Sequence, residues 1–548
     1  MSESVQNGHH GVRKWLPMMV LGTAMLVTVF DATLLGVAMV QLTEDFDTDI
    51  RTVQLIVTMY ALTVGAFMLA SGKVGDTIGR RKAYAVGAVI YAAGSALTIV
   101  AGNVWVALLG WAILKGIAAS LMLPQIEALI PFNYKGKDRA LAFAMIGGIG
   151  GAGSAIGLIG GGWVTSALSW RYVHAFQLVL IIGAIFGLRY VADSPPGNRQ
   201  RIDVVGALLS IIGLGAIVYG TLQSSQWGFI EPRDSPVEPF GFALTPFVII
   251  GGAVVLWGFV AWQRRQEDLG RAQLLKLTLF QNPQLRGALI VGFAQAVIIG
   301  GAMFLFPMYL QVVVGEDALG TGVRLLPLSI ALLVASIGAV GFAAQQSPRR
   351  IVRVGLLLML AGLGLAMWAV DTSLRGLRFG IALAVLGLGL GVLASILGAL
   401  IQGAVGDRDR SEASALSSSS SKVGNAMGTA LLGAVLISGL SAAFVDNISA
   451  EGRVPNEIAA ATAIELDGQV QFVPSSVVED ALNQTDLAPD EAAGIFDSFE
   501  TAEIQALRAA LLVAMVVAFI ALAFTRALSG DRPDAAREPN EAPTATTT

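Results

Sequence analysis

Long apolar runs, separated by short charged stretches, follow one another from residue 16 to residue 527. Because the hydrocarbon core of a bilayer is about 30 Å thick, a helix needs about 20 apolar residues to cross it. Runs near that length occur at 16–40, 51–71, 81–101, 104–128, 140–164, 171–192, 204–224, 245–263, 285–313, 321–345, 350–369, 376–402, 412–440 and 504–527. The runs are continuous, whereas strands of a membrane barrel would alternate apolar and polar residues. The pattern therefore predicts fourteen transmembrane helices.

The composition agrees with a membrane protein and excludes most soluble classes. Of 548 residues, 55% are hydrophobic and 14% are charged, whereas soluble domains carry about 25% charged residues. A soluble enzyme, a nucleic-acid binder and a disordered scaffold are therefore excluded. The chain has no cysteine and three histidines, so we expect no disulfide, no metal site and no cofactor. The prediction is an all-α polytopic membrane protein.

The basic residues are distributed unevenly between the two sides of these helices. If the N-terminus is cytoplasmic, 25 of the 35 Lys and Arg residues fall on the cytoplasmic side and eight on the opposite side. Loops rich in Lys and Arg stay on the cytoplasmic side of a membrane. We therefore expect a protein of the cell membrane with both termini in the cytoplasm. The remaining two basic residues, Lys115 and Lys422, fall inside predicted helices. The loops on the outer side are acidic, as in Glu44-Asp45-Phe46-Asp47 and in the long segment 441–503.

The most specific string lies between the second and third predicted helices. It reads Gly72-Lys73-Val74-Gly75-Asp76-Thr77-Ile78-Gly79-Arg80-Arg81-Lys82. Its glycines permit a tight turn at the membrane surface, and its aspartate can pair with an arginine of the cluster. An ordinary cytoplasmic loop needs basic residues but not this glycine and aspartate framework. The string resembles the loop 2–3 signature of the major facilitator superfamily.

That resemblance implies a conformational latch, because in the family this loop holds the two halves together in the outward-facing state. The latch residues would be Gly72, Gly75, Asp76, Gly79, Arg80 and Arg81. Further matches at 30–38, 307–311, 322–327 and 421–428, together with fourteen helices, resemble the drug:proton antiporter branch.

The branch implies a fold of two six-helix bundles with two extra central helices. We place the bundles at 1–200 and 266–527 and the extra pair at 201–265, and expect a disordered tail at 528–548. The C-terminal bundle would include the outer loop 441–503, which has short helical patterns at 477–483 and 489–500. We interpret it as a small cap or an ordered loop over the outer mouth, with a disordered loop as the alternative.

Several positions depart from the branch's motifs. Ala112 stands where the helix-4 motif has Arg, and Lys115 follows it one turn later. Leu158 replaces the proline of the helix-5 antiporter motif, and Gln177 and Val179 replace the usual Asn and Pro of helix 6. Helix 5 still carries glycines at spacings that favour close packing and hinge motion, namely Gly153, Gly157, Gly161 and Gly162.

Asp31 is the strongest candidate for proton coupling, because an intramembrane acid is costly unless it is paired, hydrated or protonated. Asp31 lies about nine residues from the outer end of helix 1, and Lys115 about eleven from the outer end of helix 4. At about 1.5 Å per residue their depths agree within about 3 Å. We therefore expect an Asp31–Lys115 pair that binds the coupling proton; a purely structural ion pair is the alternative.

Six polar residues inside helices are candidates for the substrate cavity. They are Gln54, Gln125, Gln295, Gln311, Lys422 and Asn425. For Lys422, packing with its tip at the interface is an alternative reading. One central acid against two central lysines predicts that neutral, zwitterionic or anionic substrates are accepted at least as readily as cations.

The predicted function is proton-coupled export of lipophilic or amphipathic small molecules by alternating access. It is a transport function without enzymatic chemistry, since neither a Walker motif nor a catalytic constellation occurs. Partners would be the substrate, protons and the lipid bilayer, with no nucleic acid, and we expect a monomer. Two alternatives stay open: proton-coupled uptake or exchange, favoured by Leu158, and a non-transporting sensor or scaffold that uses segment 441–503.

Overall fold

The computed structural model describes most of the chain. The described residues are 10–193, 203–271, 273–343, 346–371, 377–406, 410–451, 453–454, 477–478, 482–483 and 487–528. Within this part the chain is helical and contains no strand. The predicted tail at 529–548 and most of the segment 455–486 lie outside the described residues.

Sixteen α-helices make up the described fold, two of them short. They are α1 (His10–Val37), α2 (Met39–Phe46), α3 (Ile50–Ile78), α4 (Arg80–Ile99), α5 (Val104–Ala107), α6 (Lys115–Asn133), α7 (Gly136–Ala167), α8 (Trp170–Gly187), α9 (Val204–Trp227), α10 (Leu244–Asp268), α11 (Pro283–Met308), α12 (Ala318–Ala343), α13 (Pro348–Ala369), α14 (Arg378–Gly403), α15 (Arg410–Ala450) and α16 (Pro489–Phe524).

Thirteen helical stretches in the described part of the chain are long and apolar enough to cross a membrane. They match thirteen of the fourteen predicted runs. The other run, 140–164, lies in α7, where several side chains fall outside the description and Ile156–Ala167 is an apolar helical stretch. The helical membrane fold is confirmed, and the count of fourteen stays a prediction.

Two helices contain π-helical segments that the sequence did not predict. One, Leu108–Leu114, joins α5 to α6 and ends directly before Lys115. The other, Tyr309–Val313, follows α11 and contains Gln311. A π segment places one extra residue in a turn and is frequent at functional sites. Each segment therefore changes the direction of a side chain that the sequence singles out.

We call the side of the molecule that carries 44–47 the acidic face and the side that carries 79–82 the basic face. Helices α7 and α12 bring the two halves close together toward the acidic face. A Cβ on Gly162 of α7 would lie 2.5 Å from the carbonyl oxygen of Ala318, and one on Gly322 of α12 would lie 2.3 Å from that of Leu158. Only glycine permits these contacts between backbones.

Helices α3 and α15 form a second contact between the halves, and α9 packs along it. A small apolar cluster joins the three helices: Leu62, Val218, Leu222, Ala426 and Ala430. Helix α9 therefore lies against both halves, and α10 packs on α9. The predicted domain boundaries at 200 and 265 stay predictions.

On the acidic face α15 and α16 extend beyond the apolar stretch as a helical pair. Arg453 donates hydrogen bonds to Glu451 (2.9 Å) and Asp497 (2.7 Å), and Phe444 packs edge-on against Phe499. The hydrogen bonds from Arg453 hold the pKa of Glu451 below its usual value. The ends of segment 441–503 are thus ordered helices joined by an ion pair.

Candidate functional site

The predicted acid of helix 1 lies at the centre of a buried polar cluster. Asp31 is fully buried, and its carboxylate oxygens accept hydrogen bonds from Lys115 (2.5 Å), Tyr91 (2.6 Å) and Gln177 (3.2 Å). The four side chains come from α1, α4, α6 and α8. Their convergence gives a buried carboxylate the hydrogen bonds that offset its desolvation.

Lys115 supplies the opposite charge, and three polar atoms surround its ammonium group. Its Nζ lies 2.5 Å from Asp31 Oδ1, 2.8 Å from Gln177 Oε1 and 3.0 Å from His174 Nδ1. An ammonium has three N–H donors, so each donor has one acceptor. The ammonium also lies 4.7 Å from the centre of the Tyr91 ring, which adds a cation–π contact.

His174 joins the cluster on the side of the acidic face. Its Nδ1 lies 3.0 Å from Lys115 Nζ and 2.9 Å from Gln177 Oε1, and its Nε2 has no hydrogen-bond partner among the described residues. The ring lies edge-on to Trp111 (4.2 Å between centroids) and Trp170 (5.7 Å), which are stacked on each other. An apolar cage thus shields the ion pair from the acidic face.

One turn further toward the acidic face, a second ion pair closes this cage. Asp45 accepts hydrogen bonds from Trp170 Nε1 (2.8 Å) and from Arg171 (2.7 Å). Arg171 also donates to the carbonyl of Ala101 and lies 4.4 Å from the Trp170 ring. The side chains of Asp45 and Arg171 are about one-third exposed, so this pair marks where the site meets solvent.

Sequence reasoning missed Tyr91 and His174 and noted Gln177 only as a departure from a motif. A buried histidine in an apolar helix is a signal, since His174 is one of three in the chain. Tyr91 gives no comparable signal, because a tyrosine in a membrane helix is ordinarily a packing residue.

The binding of a single proton changes the net charge of this cluster. Asp31 and Lys115 together are neutral, and both are fully buried. A proton on Asp31 removes the negative charge and leaves the ammonium without a counter-ion at membrane depth, which is unfavourable. Among the described residues no group of three or more His, Cys, Asp or Glu could hold a metal ion.

The predicted latch loop makes its described contacts inside the N-terminal half. Gly79 has φ +99°, a conformation that favours glycine, and a Cβ on Gly75 would lie 2.1 Å from Gln125 Oε1. Arg80 donates to the Ala128 carbonyl (3.3 Å). Arg81 contacts the segment after α8 in two ways. Its backbone N–H donates to Asp193 (3.0 Å), and its guanidinium donates to the Val191 carbonyl (3.1 Å). Gly72 and the side chain of Asp76 lie outside the description.

The cavity candidates divide into two groups by location. Gln54 donates to the Thr429 carbonyl (2.8 Å) and Gln311 to the Gly36 carbonyl (3.2 Å), so both bridge the two halves. Gln125 and Gln295 donate to carbonyls within their own halves, at Ser71 and Leu390. Gln295 also lines a cavity of about 130 Å³ beside the serines of α15.

Lys422 and Asn425 lie on α15 near its crossing with α3. A Cβ on Gly65 of α3 would lie 3.0 Å from Lys422 Cβ, and Ser419 donates to the Gly65 carbonyl (2.6 Å). Lys422 therefore lies at the interface between the halves, whereas the backbone of Asn425 packs on Gly300 of α11 in its own half.

The helix-5 glycines have two kinds of neighbour. Gly153, Gly157 and Gly161 face α1, where a Cβ would meet Leu26, Thr33 and Leu34. Gly162 faces α12 of the other half. These four glycines therefore pack α7 against α1 within one half and against α12 across the interface.

Comparisons with known proteins agree with this fold. The sequence model of the Major Facilitator Superfamily matches residues 21–429. The puromycin resistance protein pur8 of Streptomyces alboniger is 30% identical over 79% of this chain and 84% of its own length. The multidrug efflux pump LfrA of Mycolicibacterium smegmatis is 27% identical over 94% and 97%.

A solved structure shares the fold at much lower sequence identity. The inward-facing bacterial homolog of the human lysosomal transporter Spinster is 15% identical, with a TM-score of 0.56 over 94% of this chain and 98% of its own. The family match covers well over half of the chain. The chain belongs to the Major Facilitator Superfamily of membrane transporters.

Proposed function

We propose that this protein exports lipophilic or amphipathic small molecules across the cell membrane in exchange for protons. The observation that carries the proposal is the neutral Asp31–Lys115 pair, fully buried at membrane depth and able to change charge with one proton. The names of its relatives support the direction of transport, since they include a puromycin resistance protein and a multidrug efflux pump.

In this proposal Asp31 binds the coupling proton, and the release of Lys115 couples this binding to a conformational change. While Asp31 is ionised, it holds the ammonium together with Gln177 and His174. A proton on Asp31 removes the main attraction, so Lys115 is released into a site that cannot stabilise an isolated charge. The cluster then favours a rearrangement that hydrates the ammonium or pairs it with another group.

The rearrangement would change access to the substrate site by changing the contacts between the halves. In this structure the halves meet toward the acidic face, through Gly162 and Ala318 and through Gln311 and Gly36. The described side-chain hydrogen bonds of Arg80 and Arg81 in the latch loop go to the carbonyls of Ala128 and Val191 in the same half. Both observations support a state that opens toward the basic face, from which rocking would close that face and open the other.

The remaining parts of the proposal concern the membrane and the assembly. We place both termini in the cytoplasm, because most basic residues then lie on that side. We propose that a monomer transports, since each chain would form a complete path between its own two halves.

Inverted membrane vesicles from a host that lacks its own drug pumps test this function. Vesicles with the protein and an acidic interior should accumulate an amphipathic fluorescent compound, and a protonophore should abolish the accumulation. Asp31→Asn should remove the effect, whereas Lys14→Gln, which breaks an exposed ion pair with Asp138, should retain it. Accumulation that needs the opposite gradient would favour proton-coupled uptake, and the absence of any flux would favour a sensor or scaffold.

A further inference from the structure

The α3–α15 crossing carries a basic residue without an opposite charge. Lys422 makes no ion pair or hydrogen bond with any described residue, and it is only partly buried. Lys115, the other basic residue that the sequence places at membrane depth, is paired with Asp31. The two clusters together therefore hold one excess positive charge, which is costly at membrane depth unless water or an anion compensates it.

Three polar atoms on α3 and α15 also lack hydrogen-bond partners among the described residues, and the last of them belongs to a residue whose backbone packs on Gly300 of α11. They are Gln54 Oε1, Thr58 Oγ1 and Asn425 Oδ1. Gln54 is 1% exposed and Thr58 is fully buried. A buried polar atom without a hydrogen-bond partner destabilises the structure, so three of them close to one crossing indicate a surface that is completed by a ligand.

Helix geometry places these groups in one row. Gln54 bonds to the Thr429 carbonyl, and Gly65 contacts Ser419 and Lys422, so α3 and α15 run antiparallel. Thr58 lies one turn after Gln54, and Asn425 one turn before Thr429, which puts them at the same depth. From Gln54 to Gly65 the row is about 16 Å long at about 1.5 Å per residue.

We propose that this row binds the substrate and that the substrate is an amphipathic organic anion with hydrogen-bond donors. Lys422 would bind its carboxylate or ionised phenol, while the oxygens of Gln54 and Asn425 would accept from its hydroxyl or N–H groups. The apolar residues of α9 would cover the outer side of the α3–α15 crossing. The inference rests on the proposed function and names the substrate class of the same transport path.

The test compares two probes of equal size, 3-hydroxy-2-naphthoate and its carboxamide, binding to the purified full-length protein in nanodiscs. A hydrogen bond to a charged group contributes about 1.5–3 kcal/mol, so the wild-type protein should bind the acid at least about tenfold more tightly than the amide. Lys422→Gln should weaken acid binding about tenfold and change amide binding less than about twofold. Lys422→Arg should retain the preference.

Arg264→Gln is the matched control, since it removes an exposed basic residue away from the crossing. Equal affinity of the wild-type protein for both probes would overturn the inference, and this result needs no variant to fold. An unchanged preference for the acid in Lys422→Gln would overturn it too. Proton-driven export that continues in either case would leave the proposed function intact, whereas acid preference without any proton-driven flux would overturn that function alone.

Discussion

At the scale of residues, the site is an ion pair that the surrounding side chains hold together. The carboxylate of Asp31 and the ammonium of Lys115 have hydrogen-bond partners for their N–H groups and oxygens, from Tyr91, His174 and Gln177. Such a pair need not be more stable than an apolar substitute, because desolvation offsets the attraction between the charges. Its presence is better explained by a role in transport than by stability.

This explanation predicts how the pair responds to substitution. Lys115→Met should lower the free energy of unfolding by about 3–5 kcal/mol, because it leaves Asp31 buried without a counter-charge. Asp31→Asn with Lys115→Met should recover most of that loss. Thermal unfolding in nanodiscs, followed by tryptophan fluorescence, measures both effects.

Lys14→Met is the control for this cycle, since the Lys14–Asp138 pair is nearly half exposed. Its loss should cost less than about 1 kcal/mol. If Lys115→Met were as stable as the control variant, the pair would not be buried as described, and its electrostatic role would be lost.

Sequence reasoning identified the two charged members of the site and little else of it. Intramembrane charges are rare enough to be noticed one by one, and helical rise gave matching depths for Asp31 and Lys115. Tyr91 and His174 could not be assigned in this way, because their approach depends on how α4 and α8 rotate about their axes. The π segment before Lys115 sets the corresponding rotation of α6.

At the scale of helices, the glycines of α7 and α12 set the distance between the halves. Gly162→Val should separate them, since a Cβ at this position would lie 2.5 Å from the Ala318 carbonyl oxygen. Overpacking of this kind costs about 1–3 kcal/mol. We expect wild-type expression with at least about tenfold slower transport, measured as flux in vesicles.

Gly160→Val is the matched control on the same helix. A Cβ at Gly160 has no neighbour closer than 3.9 Å, and that neighbour belongs to Ile156 of α7 itself. Equal transport rates for the two variants would show that the close approach of α7 and α12 is not needed.

Helix positions were predicted more fully than helix lengths. Apolar runs mark the part of a helix that lies in hydrocarbon, so they located thirteen of the described helices. They could not show that α15 and α16 continue past the apolar stretch, because those turns are polar and are held by Arg453, Asp497 and packing of Phe444 on Phe499. The sequence therefore predicts one outer segment at 441–503, in which the helical pattern at 489–500 is not joined to the last transmembrane helix.

At the scale of the whole molecule, transport requires the acidic-face contacts to break. Ser166 Oγ lies 3.2 Å from the backbone nitrogen of Leu319, so cysteines at these two positions should form a disulfide between the halves. The chain has no cysteine of its own, which leaves the new pair as the only thiols. Oxidation should stop transport and reduction should restore it.

Each single cysteine variant serves as a control and should transport normally under oxidation. A cross-linked protein that transports at the wild-type rate would show that the halves do not separate at this face, which would contradict alternating access through the described interface.

The most direct test of the central claim, proton exchange through Asp31, measures both fluxes in one preparation. Purified protein is reconstituted in liposomes that contain a pH-sensitive dye, and an outwardly directed gradient of an exported compound is imposed without a pH gradient. We expect the wild-type protein to acidify the lumen in step with compound efflux, because protons enter in exchange, and Asp31→Asn to move no protons. Proton movement of wild-type size in Asp31→Asn would contradict it.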